Sequence, residues 1–562
     1  MKQVFYGSLL LVGASFWVEL SAVAQSLPPD PVEETLPGRP GPLDPLLELP
    51  SEPEDPIQLE REMPTPSPFE TENIPAGSFF VEDIQVIDNT LFHDEIEALV
   101  QPLEGRDVTL QELLNLRTAI TNLYIKNGYI SSGAFVPTNQ DLSRAVVQIQ
   151  VVEGGVEQID INGLSRLRDD YIRDRITGAT SSPLNVRRLE EALQLLQIDP
   201  LLQSVDAELT AGSEPGQNIL ILDLTEADPF FADLAVNNYR APSIGSLQGS
   251  VAATHLNLFG FGDRLSASYD LTEGLDVYEF RYAIPVNGRD GTVQLRYENA
   301  DSNIVDSRFE AAGIRSESET FSFNFRQPLN RSLTNEFALG LGFDLRQSRS
   351  FILDDIPFSF SVGPEAGVSK VRTLRFSQEW VNRDINTVLA VRSQFGFGLD
   401  IFDATVHDSG TDGRFFSWLG QFQWVEQFSS GMLLVTRINT QFTPDSLLPL
   451  ERFSAGGVDT VRGYAQNQIV TDNGVTASTE LRFPVADGLR LTPFIDAGGG
   501  WNNQTPDPDP SFLLGLGLGL RWQPTDDFNL RIDYGIPLIS PGDEGDSLQE
   551  NGVYISVNLQ PF

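Results

Sequence analysis

Phe512-Leu513-Leu514-Gly515-Leu516-Gly517-Leu518-Gly519-Leu520-Arg521 repeats with a period of two. Leu514, Leu516, Leu518 and Leu520 fall on one face, and Gly515, Gly517, Gly519 and Arg521 on the other. Successive side chains of a strand point to opposite faces, so this reads as a β-strand with one greasy side and one small or charged side. The glycine spacing resembles a dinucleotide loop, but that loop leaves a strand and opens a helix, whereas these glycines lie inside a strand. No cofactor is expected. Val553, Ile555, Val557 and Leu559 alternate in the same way with Tyr554, Ser556 and Asn558. From Phe230 to Phe562 about sixteen such runs follow one another, roughly 21 residues per strand plus connection. Faces of Leu, Val and Ile against faces of Gly, Arg, Ser and Asn imply apolar outside and wet inside. That predicts a transmembrane β-barrel of about 16 antiparallel strands rather than a soluble sandwich or propeller.

Working outward, residues 79–229 change to a mixed pattern that runs twice as β-α-α-β-β. In the first copy, Phe80 to Val86 alternates as a strand. Helices are expected over Asp94–Pro102 and Thr109–Asn127, and strands at Ala134–Val136 and Ala145–Val152. In the second, Val156–Ile161 is a strand, Arg166–Ile176 and Asn185–Gln197 are helices, and Val205–Thr210 and Ile219–Leu224 are strands. Repetition of one small α+β module suggests a tandem binding surface.

Leu27 to Ala76 carries 14 of the 36 prolines and 12 acidic groups against two Arg. Missing backbone donors and like-charge repulsion predict an extended, disordered linker there. Asp55–Met63 is its one short helical candidate. Before it, Lys2, the apolar run Ser8–Val18 and Ala22-Val23-Ala24 form a secretory signal, with the mature chain starting at Gln25. The expected domains are therefore 1–24 signal, 25–76 linker, 77–154 and 155–229 the two modules, and 230–562 the barrel.

Composition narrows the function. Of 562 residues, 79 are Asp or Glu and 37 Lys or Arg, a net charge of −42, which argues against nucleic acid as a partner. With no Cys and only His93, His255 and His407, neither a disulfide framework nor a metal site is expected. Asp507-Pro508-Asp509-Pro510 reads as a polar turn, since Pro prevents a loop from wrapping an ion. No catalytic cluster stands out. Cations are nearly all Arg, with Lys only at 2, 126 and 370, which fits an interior of ordered ion pairs.

Two features carry the functional expectation. Pro444 to Asp472 joins two strands yet is rich in Gly and apolar residues, as a loop folded back into the lumen would be. It contains Val461-Arg462-Gly463-Tyr464. In Phe494-Ile495-Asp496-Ala497-Gly498, period two places Phe494, Asp496 and Gly498 inward. A partly shielded pair between Arg462 and Asp496 is one reading, and two unrelated solvated charges the other.

These residues resemble the Omp85 superfamily, specifically the TpsB transporters of two-partner secretion (the haemolysin-activator type). Val461–Tyr464 matches that family's VRG(F/Y) loop tip, and Phe494-x-Asp496-x-Gly498 its (F/G)xDxG wall motif. Gly128-Tyr129-Ile130-Ser131-Ser132-Gly133-Ala134-Phe135-Val136-Pro137, with Val147–Gly154 after it, resembles its first POTRA module. The resemblance implies two periplasmic POTRA modules that capture an unfolded partner exoprotein and an outer-membrane barrel that conducts it to the surface. It also implies contacts with outer-membrane lipid, and with periplasmic chaperones and the barrel assembly machinery during biogenesis. The capture surface it implies lies near Tyr129, Phe135, Val147, Ile149 and Val151, with ordinary core packing the other reading of each residue. Family members often carry an N-terminal plug helix, for which this chain offers only Asp55–Met63. Terminal Phe562 matches the family's assembly signal in kind but is out of phase with Val553–Leu559. An insertase for other barrels, a passive porin and a soluble adhesin are the alternatives.

Overall fold

The computed structural model describes residues 29–36, 60–61, 77–137, 140, 144–408, 410–542 and 545–561. The signal segment, most of Asp55–Met63 and Phe562 lie outside the described residues. A short helix α1 (Pro31–Glu34) and a two-residue strand β1 (Glu60–Arg61) precede the modules.

The first module comprises β2 (Ser78–Val81), β3 (Asp83–Ile87), α2 (His93–Val100), β4 (Arg106–Thr109), α3 (Leu110–Lys126), β5 (Gly133–Phe135) and β6 (Val146–Val152). The single strand expected over 80–86 is split at Glu82, because β2 pairs with β4 while β3 pairs in parallel with β6. α3 begins with a capping box, Thr109 and Glu112 satisfying each other's backbone N–H groups. Its inward residues Leu113, Leu116, Ile120 and Tyr124 are buried against Val147, Ile149 and Val151.

The second module comprises β7 (Gly155–Asn162), α4 (Asp169–Thr180), α5 (Val186–Gln197), β8 (Leu202–Ala211) and β9 (Gln217–Glu226). Here too the first strand runs parallel to the last, and the middle one antiparallel to it. β1 extends this sheet, pairing in parallel with the edge strand β8. At Glu60 and Arg61 the linker is thus a strand, not the helix expected over 55–63.

Both modules end on the same device. The Glu153 carboxylate accepts from the Thr90 and Leu91 N–H groups and from the Tyr124 hydroxyl. Glu226 accepts from the N–H groups of Ser165, Arg166 and Leu167. Burial pushes Glu226 up, but the three amides win and hold it at about 2. A depressed carboxyl stabilises above its free value and loses that contribution as pH falls through the folded value. The second module should lose on the order of 3 kcal/mol between pH 4.5 and pH 2. Amide-exchange protection at residues 165–167 checks this, and Glu226→Gln should flatten the profile.

The remaining strands close into one antiparallel barrel. They are β10 (Phe230–Asn237), β11 (Gln248–Leu256), β12 (Arg264–Leu271), β13 (Leu275–Pro285), β14 (Thr292–Asn303), β15 (Arg315–Arg331), β16 (Asn335–Ile352) and β17 (Val368–Arg383). Then come β18 (Thr387–Gly398), β19 (Phe416–Gln427), β20 (Leu433–Phe442), β21 (Asn473–Ala486), β22 (Leu489–Trp501), β23 (Phe512–Thr525), β24 (Phe528–Pro537) and β25 (Val553–Leu559). A two-residue strand, Ile356–Pro357, only folds back on β16, so sixteen strands span the wall. Leu516, Leu518, Trp522, Phe280 and Phe321 are exposed on the outer face, as lipid contact requires. Inward positions are filled: Asp496, Thr492, Asp533 and Tyr554 are almost wholly buried.

The second module is fastened beneath the bore. Arg168 donates its N–H to the Gly260 carbonyl at 3.1 Å and lays its guanidinium 3.8 Å over the Phe261 ring. Arg175 reaches Asp290 at 2.6 Å. The turns after β11 and β13 thus dock on α4.

Candidate functional site: the lid tip and its wall

The loop between β20 and β21 folds into the lumen. Its strands Phe453–Ala455 and Ile469–Thr471 pair as a small hairpin, and Val461, Tyr464 and Leu513 pack with them in a buried cluster. Gly463, at φ +100°, sets the tip against β24.

Arg462 is 2% exposed. Its backbone N–H and Nε donate to Asp496 Oδ2 at 3.1 and 2.7 Å, and its Nη2 to Oδ1 at 3.0 Å. Nη1 donates to Glu480 Oε2 at 3.0 Å, and Asp533 lies 3.7 Å away. The guanidinium stacks 3.5 Å over the Phe494 ring. Ser478 donates to Asp496 at 2.6 Å. A Cβ at Gly498 would come within 2.8 Å of Val461, so this glycine makes room for the tip. Gly463 donates to the Tyr554 hydroxyl at 2.9 Å, which itself donates to the Tyr464 carbonyl at 2.6 Å. The Tyr464 hydroxyl bridges β23 to the loop after β24, 2.9 Å from the carbonyls of Leu514 and Ile539. All seven residues of the two expected motifs therefore meet at one place, and the reading of Arg462 and Asp496 as unrelated solvated charges does not hold.

Gly515 of β23 and Gly535 of β24 are the bed of this tip. A Cβ at Gly515 would lie 2.0 Å from the Arg462 carbonyl oxygen, and one at Gly535 2.5 Å from the Gly463 nitrogen. Sequence reasoning read Gly515 only as a small lumen residue. It also missed Glu480, Asp533 and Tyr554, although period two places Glu480 on the same face as Ser478. On the opposite wall, Glu451 at the loop's base binds Arg346 and Arg375, each at 2.9 Å, so the loop spans the bore.

The N-terminal linker also enters the barrel, as a helical turn at Pro31–Glu34 where an extended chain is expected and outside Asp55–Met63, the stretch expected as the plug candidate. Asp30 caps α1 by accepting from the Val32 N–H at 3.0 Å, with Pro31 in the first turn. Val32 packs with Val371, Phe415, Leu447, Leu448 and Leu450. Glu33 pairs with Arg452 at 2.7 Å, Glu34 accepts from Ser243, and the Asn467 amide donates to the carbonyls of Glu33, Glu34 and Leu36. Burial pushes the Glu33 and Glu34 carboxyls up to about 8 and about 7, Arg452 opposing this at Glu33. A raised carboxyl favours docking while protonated, so docking weakens as pH rises through those values. Bilayer conductance should accordingly increase from pH 5 to pH 8, and Glu33→Gln with Glu34→Gln should flatten the rise.

The expected capture residues are not brought together on a surface. Val147, Ile149 and Val151 are at most 1% exposed, because their face of the central strand β6 is the module's core. Tyr129 packs edge-on against Phe92 and Tyr124. Phe135 is half-buried on the edge strand β5.

The family model described as haemolysin secretion/activation protein ShlB/FhaC/HecB matches residues 216–522, more than half of the chain. A POTRA domain of ShlB type matches residues 79–154. The outer membrane transporter CdiB of Escherichia coli O6:K15:H31 is 26% identical, over 86% of this chain and 83% of that one. Among solved structures, CdiB from Escherichia coli superposes with a TM-score of 0.66 at 24% identity, covering 88% of this chain and 92% of that one. CdiB from Acinetobacter baumannii gives 0.62 at 20% identity, covering 99% and 98%. With the lid tip, its wall and the paired modules already in place, the chain belongs to the haemolysin secretion/activation family of ShlB, FhaC and HecB.

Proposed function

We propose that this outer-membrane transporter of two-partner secretion takes up an unfolded exoprotein through its periplasmic modules and conducts it through the barrel to the cell surface. The carrying observation is a closed barrel over a docked module, obstructed among the described residues by a loop and a plug held through polar contacts and small apolar clusters. Such contacts can be exchanged for others without unfolding the wall. Capture by strand addition is assigned to the sheet edge at β5, with Phe135 and Tyr129 flanking it, since Val147, Ile149 and Val151 are committed to the core. The proposed division is a signal at 1–24, a linker at 25–76, modules at 77–154 and 155–229, and the barrel at 230–562. Outer-membrane lipid surrounds the barrel, barrel assembly machinery and periplasmic chaperones serve its biogenesis, and the proposed role is transport rather than catalysis.

The insertase reading has one observation in its favour. β10 and β25 pair over only four residues, so the wall would part there first. Secretion of a co-expressed exoprotein into the medium, lost on deleting residues 77–229, tests the proposal. Unchanged secretion would overturn it, and loss of other outer-membrane barrels instead would favour the insertase.

A further inference from the structure

The inner wall is not electrically uniform. On the side opposite the lid tip, five guanidiniums all reach carboxylates. Arg296 bridges Glu279 and Glu298, and Arg281 also pairs with Glu279. Arg326 joins Glu336 to Glu379, which Arg392 shares. Arg331 reaches both Glu336 and Asp290.

On the lid side they do not. Arg490, Arg521 and Arg531 stand directly opposite one another on β22, β23 and β24. Like charges in that register are destabilising. Neutralisation is incomplete: Glu480 alone is shared by Arg462, Arg482 and Arg521, and Asp533 accepts from Arg531 at 2.6 Å. Asp496 is taken by Arg462. Arg462, Arg482, Arg490, Arg521 and Arg531 thus face Glu480, Asp496 and Asp533, with Arg437 of β20 a further cation near Glu480. Among the described residues Arg490 forms no ion pair, and the Arg521 Nε is buried without a hydrogen-bond partner. Arg482 and Arg521 keep 20% of their side chains open, and Arg490 is exposed. Arg490 begins just above the periplasmic turn at 487–488, so the row lies between the periplasmic mouth and Arg462.

We propose that Arg490, Arg521 and Arg531, flanked by Arg482, form a binding track for carboxylate-rich stretches of the polypeptide passing through the barrel. This rests on the conduction reading above. Guanidiniums fork to carboxylates, and a row of three in register, one of them without an ion pair, gives an anionic segment a path that guanidiniums already held by carboxylates do not. A basic segment would be repelled from the same surface. Attraction of this kind also weakens as salt screens it.

The test is fluorescence anisotropy of labelled decaglutamate titrated onto the full-length detergent-solubilised protein at low salt. The double variant Arg521→Gln/Arg531→Gln should bind about tenfold more weakly than wild type, and Arg490→Gln about threefold more weakly. Arg296→Gln on the opposite wall should change nothing, and decalysine should not bind detectably. Should the double variant fail to fold, Arg490→Gln decides alone, because it breaks no ion pair among the described residues. Equal affinity in wild type and variants, or decalysine binding as tightly as decaglutamate, would overturn the track. Secretion measured in parallel separates the two claims: secretion without charge preference removes the track alone, and charge-selective binding without secretion supports the track while removing conduction.

Discussion

Arg462→Ala is expected to leave the barrel inserted and heat-modifiable while lowering secretion at least tenfold. The substitution removes four donated side-chain hydrogen bonds and the stacking on Phe494, and leaves Asp496 buried without a cation, while Glu480 keeps Arg482 and Arg521 and Asp533 keeps Arg531. Removing one partner of a buried ion pair costs about 3–5 kcal/mol, enough to free the tip from the wall. Arg462→Lys should not rescue it, since an ammonium cannot serve Asp496 and Glu480 in one plane. Exchanging the charges of Arg462 and Asp496 should also fail. The new carboxylate at 462 would face Glu480, which lies 3.0 Å from the guanidinium in the wild type. Electrophoresis with and without heating reports the barrel, and immunoblotting of the medium reports secretion. Wild-type secretion by Arg462→Ala would remove the tip from the mechanism.

Gly515→Val is expected to give the same loss with every charge intact. Its Cβ would fall 2.0 Å from the Arg462 carbonyl oxygen, which β23 cannot yield without leaving its register with Asp496. Overpacking of this kind costs about 1–3 kcal/mol or more. Because both changes undock the same element, the double variant Arg462→Ala/Gly515→Val should be little worse than either alone. Accessibility of a cysteine placed at Asp459, read by thiol labelling from outside, reports tip release in each. An additive double variant, or unchanged labelling, would separate the glycine bed from the lid.

The barrel was legible because lipid and water impose a period of two, and Phe512–Arg521 displays it with the least ambiguity. The lid tip was legible through two short motifs. What surrounds them was not: Glu480 and Asp533 are two among 79 acidic residues, and only strand register puts them beside Arg462. The plug was hidden for a different reason. Proline and repelling carboxylates argue from sequence for an extended chain over 27–76, whereas the described stretch Asp30–Leu36 is held by partners such as Arg452 and Asn467, more than 400 positions away. The misplaced capture residues show the reverse error. Alternation in Val147–Val151 marks a core face as readily as a docking face, and packing against Leu113, Leu116, Ile120 and Tyr124 settles which.

Reconstitution tests conduction most directly. Purified full-length protein is placed in liposomes with its modules outward, an unfolded partner exoprotein is added outside, and protease follows. Full-length exoprotein protected inside the vesicles, only when the transporter is present and less with Arg462→Ala, is the predicted result. Exoprotein that remains wholly digestible, or that lodges in the bilayer rather than the vesicle interior, would contradict it.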